Sequence, residues 1–352
     1  MKQRKSRLHH DTLALSLRQH FPLHATRLTV LCALVLAMIR ARSVVLYTLV
    51  THLELPGSAK VRYKRLKRFV QFTLSDTYLA SLVLNLLPRG QQWLILDRTH
   101  WKLGKTHINI LLLSVVWQGF SLPLVWTVLT TGGHSTQAQR ITLLERVRGV
   151  LPAGDTLGIL GDREFIGRDW FVFLRAQAIE VCIRLKKDAR VDDLPVQACF
   201  LNMKPGELRV WHRAMKTYGV KLRILALCCA SGEMLYLAYQ GYPKCGLRRY
   251  AQRWQCENMH QSLKGRGFNL EDSGLSQPQR VSTLLGAVGL AFVWCCLTGT
   301  YRQKQVPIPL LSHGYAEQSL FRYGLEHLQD IFFRLVCCDR HEQIRLLSLF
   351  DP

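Results

Sequence analysis

Over the first ninety residues leucines and other apolar residues recur at helical spacing, with few strand signals, so this stretch is expected to be helical. The texture changes at Gln92. Short apolar runs rich in β-formers follow one another: WLILD, HINILLLSVVW and LPLVWTVLT, with a break at Gln118-Gly119 and Ser121. No long helix fits between them, so they read as adjacent antiparallel strands. A helix over about Thr136 to Gly149, a strand TLGILGD, a helix from about Arg168 to Gln177 and a strand EVCIRLK complete an alternating α/β series. Strand character returns between Asp188 and Gln240 in ELRVWH, VKLRILALCCA and MLYLAYQ, before helical structure resumes near Lys244. That middle segment is expected to be a small β-rich insertion into the core.

Two apolar stretches test a membrane reading. Leu284 to Leu297 (LLGAVGLAFVWCCL) and Leu28 to Ile39 (LTVLCALVLAMI) both fall short of the roughly 20 residues that cross a bilayer. Arg27, Arg40 and Arg42 bracket the second. Both are expected to be core helices, and no membrane partner is expected.

Charge alters this picture more than composition does. The 352 residues are 48% hydrophobic and 20% charged, enough apolar side chains for a folded core. Yet 47 Lys and Arg oppose 24 Asp and Glu, a net +23 that folding does not require and that a polyanion would balance. Nucleic acid is the expected partner. Six bases, Lys60, Arg62, Lys64, Arg65, Lys67 and Arg68, crowd into KVRYKRLKRF, whereas Asp11, Glu54 and Asp76 are the acidic residues of the first ninety. A helix ending near Leu53, the ELPGS turn and this basic helix resemble a helix-turn-helix that would lay the bases against a DNA groove. A solvated basic face is the competing reading.

Eleven cysteines do not suggest a disulfide scaffold, because MKQRKSRLHHD leads into no apolar run before a cleavage-like site. Cys228-Cys229, Cys295-Cys296 and Cys337-Cys338 are sequence neighbours, without the C-x2-C spacing of zinc sites. Buried reduced thiols in a cytosolic protein are expected. His9 and His10 read as a solvated tail, and His100, His107 and His134 share no metal spacing. Gly132-Gly133 reads as a turn without the strand-then-helix context of a phosphate loop.

Candidate chemistry lies in the acidic residues that close apolar runs. Asp97 ends WLILD and Asp162 ends TLGILGD, positions where a carboxylate is held by a buried strand yet reaches solvent. A turn or helix-cap role is the alternative for each. Glu164 and Asp169 are nearby alternatives to Asp162 that fall after the strand end. In YAQRWQCENMHQSLK, at about 100° per residue, Arg253, Glu257 and Lys264 fall at about −60°, −20° and −40° from Tyr250. One helical stripe would carry all four, although an exposed face with an i, i+4 ion pair between Arg253 and Glu257 would give the same pattern.

Tyr250-x2-Arg253-x3-Glu257-x6-Lys264 resembles the Tyr-Arg-Glu-Lys signature of bacterial insertion-sequence transposases of family four. LDRTHW around Asp97, GDREFIG around Asp162 and the downstream LKGRGFNLEDS resemble that family too, so the similarity covers roughly Gln92 to Ser273. The resemblance implies an RNase H-like catalytic core, with which the order of three strands followed by alternating helix and strand agrees, interrupted by a β-rich insertion. It implies that Asp97, Asp162 and Glu257 are catalytic and bind two Mg²⁺ ions, with Mn²⁺ able to substitute, and that Tyr250, Arg253 and Lys264 contact DNA phosphates. Carboxylates suit Mg²⁺, a hard cation that prefers oxygen. Trp211 would stack on an unpaired base if hairpin chemistry applies; a core position is the alternative.

The expected organisation is a helical DNA-end-binding region over 1–90, the first part of the core over 91–187, the insertion over 188–241, the second part with the catalytic helix over 242–300, and a C-terminal helical region, a candidate for dimerisation, over 301–352. The expected activity is metal-dependent hydrolysis and strand transfer at the terminal inverted repeats of an insertion sequence, by a homodimer on DNA in the bacterial cytoplasm, associated with the nucleoid. A metal-dependent nuclease of the same fold and a catalytically lapsed DNA-binding derivative are the competing functions.

Overall fold

The computed structural model describes residues 11–129, 132–312, 314–334 and 340–351. His9, His10, Cys337 and Cys338 lie outside the described residues. The N-terminal region is helical, with α1 (Ala25–Ala41), α2 (Leu46–His52), α3 (Ala59–Gln71) and α4 (Asp76–Leu86). A central sheet follows, opened by β1 (Gln91–Leu103), β2 (Thr106–Trp117) and β3 (Phe120–Leu129). These three are successive antiparallel neighbours. Between β2 and β3, Gln118 and Gly119 have φ of 48° and 88°, and Trp117 faces Phe120. Two left-handed residues in a two-residue loop match the twist of the strands they join.

Helix α5 (Gln137–Arg148) begins at a capping box, in which Thr136 and Gln139 satisfy each other's backbone N–H groups. It leads into β4 (Thr156–Gly161), α6 (Arg168–Ala176) and β5 (Glu180–Leu185). Five of the six residues of β4 are buried, as expected of a parallel strand covered on both faces. Strand β4 runs parallel to β1 on one side and β5 on the other.

The segment expected as an insertion contains the short pair β6 (Arg190–Val191) and β7 (Leu194–Pro195), then β8 (Leu208–Val210), β9 (Met215–Thr217), β10 (Val220–Cys228) and β11 (Met234–Tyr239). It does not stand apart. Strand β11 pairs antiparallel with β5, so the sheet continues in the order β3-β2-β1-β4-β5-β11-β10-β8. The chain then turns into α7 (Pro243–Ala251), α8 (Trp254–Leu263), the long α9 (Pro278–Gln305), α10 (Leu320–Gln329) and α11 (Arg340–Leu347).

Helix α9 is the spine of the molecule. Its 28 residues are long and apolar enough to cross a membrane, which corrects the length estimate made from the apolar run, but 94% of its most apolar window is buried inside the protein. Helices α1, α3, α4 and α10 all pack against it. A Cβ at Gly299 would collide with the Leu320 carbonyl, and one at Gly324 with the Cys295 carbonyl, so the two helix backbones approach as only glycine permits. Phe292 stacks on Phe321 with centroids 5.1 Å apart, and Trp294 Nε1 donates to the Leu346 carbonyl at 2.8 Å. The bent pair α1–α2, with 97° between its helices, also passes the length and apolarity test for a span; residues Leu31 to Ile39 of α1, apart from a 7% exposed Leu36, are almost wholly buried.

The N-terminal helices share this core. Asp76 is buried, accepts from Trp126 N–H at 3.0 Å on the edge strand β3, and pairs with Arg146 of α5. Arg146 also donates to the Trp126 carbonyl at 3.0 Å and Thr127 Oγ1 at 2.8 Å. One half-buried ion pair thus ties α4, β3 and α5 together. Among the described residues the cysteines are free, with Cys32, Cys182, Cys228, Cys256, Cys295 and Cys296 buried.

Candidate active site

Leu96 and Gly161 form the last pair of the parallel β1–β4 ladder. Strand β4 stops there, so Asp162 is the first residue beyond it, and Asp97 lies beside it on β1. Asp97 is not at a strand end, as its place in WLILD suggested. Strand β1 runs on to Leu103 because β2 continues to pair with it, Asp97 facing Leu112. What opens beside Asp97 is the vacated β4 side of the strand.

The helical stripe is also corrected. Residues Gln252 and Arg253 interrupt it, separating α7 from α8, although both keep right-handed helical dihedrals. The interruption leaves Tyr250, Arg253 and Glu257 together. Tyr250 Oη lies 3.5 Å from Asp162 Oδ1, and Arg253 Nη2 lies 2.9 Å from Glu257 Oε1. Lys264 falls past the end of α8, with ψ of −136°, and turns elsewhere. Its Nζ lies 2.8 Å from Glu271 Oε1 and 3.3 Å from the His100 carbonyl, above the Trp101 ring. It still lines, with Glu257, His260, Arg98, His100 and Arg266, an open cleft of about 550 Å³.

Arg253 joins the acidic residues electrostatically. Burial opposes its charge, but Tyr250, Asp97, Asp162 and Glu257 act on it together and raise its pKa. Burial pushes the Asp97 carboxyl up to about 6, against the pull of the Arg98 backbone N–H and the Arg253 charge. Burial, then Asp162, pushes the Tyr250 phenol up to about 12. Asp97, Asp162 and Glu257 thus all act on one fixed cation, and Asp97 is substantially desolvated. An all-oxygen donor set of that kind suits a hard divalent cation. The donor atoms that approach one another most closely are different, however: those of Asp97, Cys256 and His260 lie within 4.8 Å of one another.

Glu164 is committed elsewhere. Arg98 grips it with Nε at 3.2 Å and Nη2 at 3.0 Å, and His134 lies 3.3 Å away. Asp169 is exposed on the first turn of α6. On α3, Lys60, Lys64, Lys67 and Arg68 are exposed and Arg65 is half-buried, while Leu66, Phe69 and Val70 face the core. Arg62 differs from its neighbours, since it donates to the Leu53 carbonyl at 2.8 Å and locks the turn after α2. Trp211 is half-buried, edge-on to Phe200 with centroids 5.7 Å apart, which is core packing. Sequence reasoning passed over Cys256 and His260; their i, i+4 spacing around Glu257 was the available signal.

In this mixed α/β domain Asp97 and Asp162 lie where the parallel β1–β4 pairing ends, and Glu257 on α8 shares Arg253 with them. A family model described as transposase DDE domain matches residues 88–294, more than half of the chain, and the protein belongs to that family. It is accordingly a transposase-type enzyme of DNA transposition and recombination, the class carried by insertion sequences. No curated protein matches the chain.

Proposed function

We propose that this chain excises and rejoins the ends of an insertion sequence of family four, with Asp97, Asp162 and Glu257 holding two Mg²⁺ ions, for which Mn²⁺ can substitute. The observation that carries the reading is the placement of Asp97 and Asp162 where the β1–β4 ladder ends, with Arg253 bound to Glu257 and under the influence of all three carboxylates. The order β3-β2-β1-β4-β5, with the first three antiparallel and β4 and β5 parallel to β1, supports an RNase H-like core extended by β8, β10 and β11.

When bound, a pair of divalent ions supplies an activated oxygen nucleophile and neutralises the leaving oxygen. The chain's own residues do the rest. Arg253 stands beside the carboxylates as a donor for the scissile strand's phosphate, and Tyr250 borders it through Asp162. Lys264 and Arg266 line the cleft that leads past Glu257. A second cleft, of about 480 Å³, is lined by Arg163, Arg184, Lys186 and Lys187 together with Asp188 and Glu233, the latter paired with Arg184, so bases outnumber acids beside the strand end that carries Asp162. The first product would be a free 3′-OH, which then attacks the opposite or target strand. The exposed bases of α3 would hold the terminal inverted repeat, and joining two ends calls for a homodimer on DNA in the cytoplasm.

The test is cleavage and strand transfer on an end-containing duplex by the full chain and by Asp97→Ala, Asp162→Ala and Glu257→Ala. Each variant should lose nearly all Mg²⁺-dependent cleavage while retaining DNA binding, and double variants should lose little more. Cleavage without joining by the wild type would leave a nuclease of this fold, and binding without cleavage a lapsed derivative. Substantial activity in Glu257→Ala would remove that residue from the site.

A further inference from the structure

The group formed by Asp97, Cys256 and His260 is chemically unlike the carboxylate trio that shares its aspartate. Cys256 Sγ lies 3.6 Å from His260 Nε2, and His260 Nδ1 lies 3.8 Å from Asp97 Oδ2. Taking one donor atom from each residue, all three lie within 4.8 Å. Because Sγ approaches Nε2 whereas Oδ2 approaches Nδ1, one ion can use only one of the two shorter separations. Zinc–ligand bonds of about 2.0 to 2.3 Å give tetrahedral edges of roughly 3.3 to 3.7 Å, so side-chain movements of about 1 Å would bring the three donor atoms onto one ion. Cys256 and His260 are one turn apart on α8, and Asp97 is fixed by the β1–β2 ladder, so the three come from two rigid elements. His260 also lines the open cleft beside Glu257, so the group borders solvent on the histidine side, while Cys256 is wholly buried.

We propose that Asp97, Cys256 and His260 form a second cation site, selective for a borderline-soft divalent ion such as Zn²⁺ or Co²⁺, whose occupation withdraws Asp97 from the carboxylate trio. Thiolate and imidazole favour such ions, whereas Mg²⁺ holds to oxygen. On binding, the Cys256 S–H bond breaks, its sulfur bonds the cation, and the proton leaves to solvent, with no redox change. Binding stands on this geometry alone. Its consequence, inhibition of Mg²⁺-supported cleavage, rests on the reading of Asp97 as a catalytic ligand.

The probe is Co²⁺ titrated into the full-length, metal-stripped protein and followed by electronic absorption. One equivalent should produce a sulfur-to-cobalt charge-transfer band, which Zn²⁺ abolishes and a large excess of Mg²⁺ leaves in place. Cys256→Ala should remove the band, and His260→Gln should weaken Co²⁺ binding roughly tenfold or more. The histidine variant decides the matter if the cysteine variant does not fold. Absence of the band in folded wild type, or a band undiminished in both variants, overturns the proposal; the latter places the ion on other cysteines. Because this readout needs no DNA, a protein that binds Co²⁺ here but never cleaves would refute the transposition reading without touching this one.

Discussion

Replacing Asp97 by Asn should make the protein more stable at neutral pH while removing its cleavage activity. Burial is the leading cause of the raised Asp97 pKa, about 6 against an ordinary carboxylate value of about 4, and the side chain is only 17% exposed. A rise from about 4 to about 6 corresponds to about 3 kcal/mol against the charged form. The folded state therefore holds the Asp97 proton more tightly than the unfolded chain does. Its contribution is present below the unfolded pKa and falls away as pH rises from about 4 to about 6, leaving a net cost above that range. His260 behaves in the opposite sense. Burial lowers its pKa to about 4, so its contribution is present above the ordinary histidine pKa of 6.5 and is lost as pH falls toward 4. The two trends partly cancel in the wild type, so the informative quantity is the difference between Asp97→Asn and wild type. Measured by urea unfolding in a chelating buffer, that difference should be near zero at pH 4 and grow to about 2 to 3 kcal/mol in favour of the variant by pH 7. Added Mg²⁺ should stabilise the wild type by mass action and leave the variant largely unmoved. A variant less stable than wild type at pH 7 in chelator, or a difference independent of pH, would refute the account of Asp97 as a desolvated carboxylate.

Two further outcomes follow from the packing. Reversing Lys60, Lys64, Lys67 and Arg68 together to Glu should abolish specific binding of a transposon end and flatten its salt dependence, with circular dichroism unchanged; by contrast Arg62→Ala should lower thermal stability, because it leaves the Leu53 carbonyl without its donor. Asp76→Ala should destabilise by about 1 to 2 kcal/mol in urea unfolding, since it removes the acceptor of the buried Trp126 N–H and the partner of the half-exposed Arg146.

Periodicity located nearly every element of the core, because buried strands and amphipathic helices are each written in local apolar spacing. The positions of Gln118-Gly119, of Thr136 and of the runs that became β4 and β5 were all legible in this way. Less legible were features set by partners distant in the chain. That Asp97 lies inside a strand depends on β2 continuing to pair after β4 has stopped, and no local signal reports that. The joining of the middle segment to β5 through Tyr236 to Tyr239 is likewise a pairing choice. The tight contact of Gly299 with α10 could not be read either, since a glycine in an apolar helix looks the same whether or not another backbone lies against it.

The N-terminal region shows how such distant partners change what can be tested. From charge alone it reads as a separable DNA-binding module, to be removed at about Gly90 while the catalytic part stays folded. The structure instead sets α1 and α3 against α9 and α4 against β3, with the Asp76–Arg146 pair crossing the supposed boundary. Removing residues 1–90 would strip α1, α3 and α4 from α9 and expose leucines that are now wholly buried on the other side of that contact. Helix α3 and strands β1 and β4 are thereby held on one core. On the proposed reading, a DNA end bound along the exposed bases of α3 would be positioned relative to Asp97 by rigid packing, without a linker to search over. Positioning of this kind is the larger part of what a phosphoryl-transfer enzyme contributes beyond its metal ions, so the burial that stops the region from being cut away is also what would let it serve the reaction.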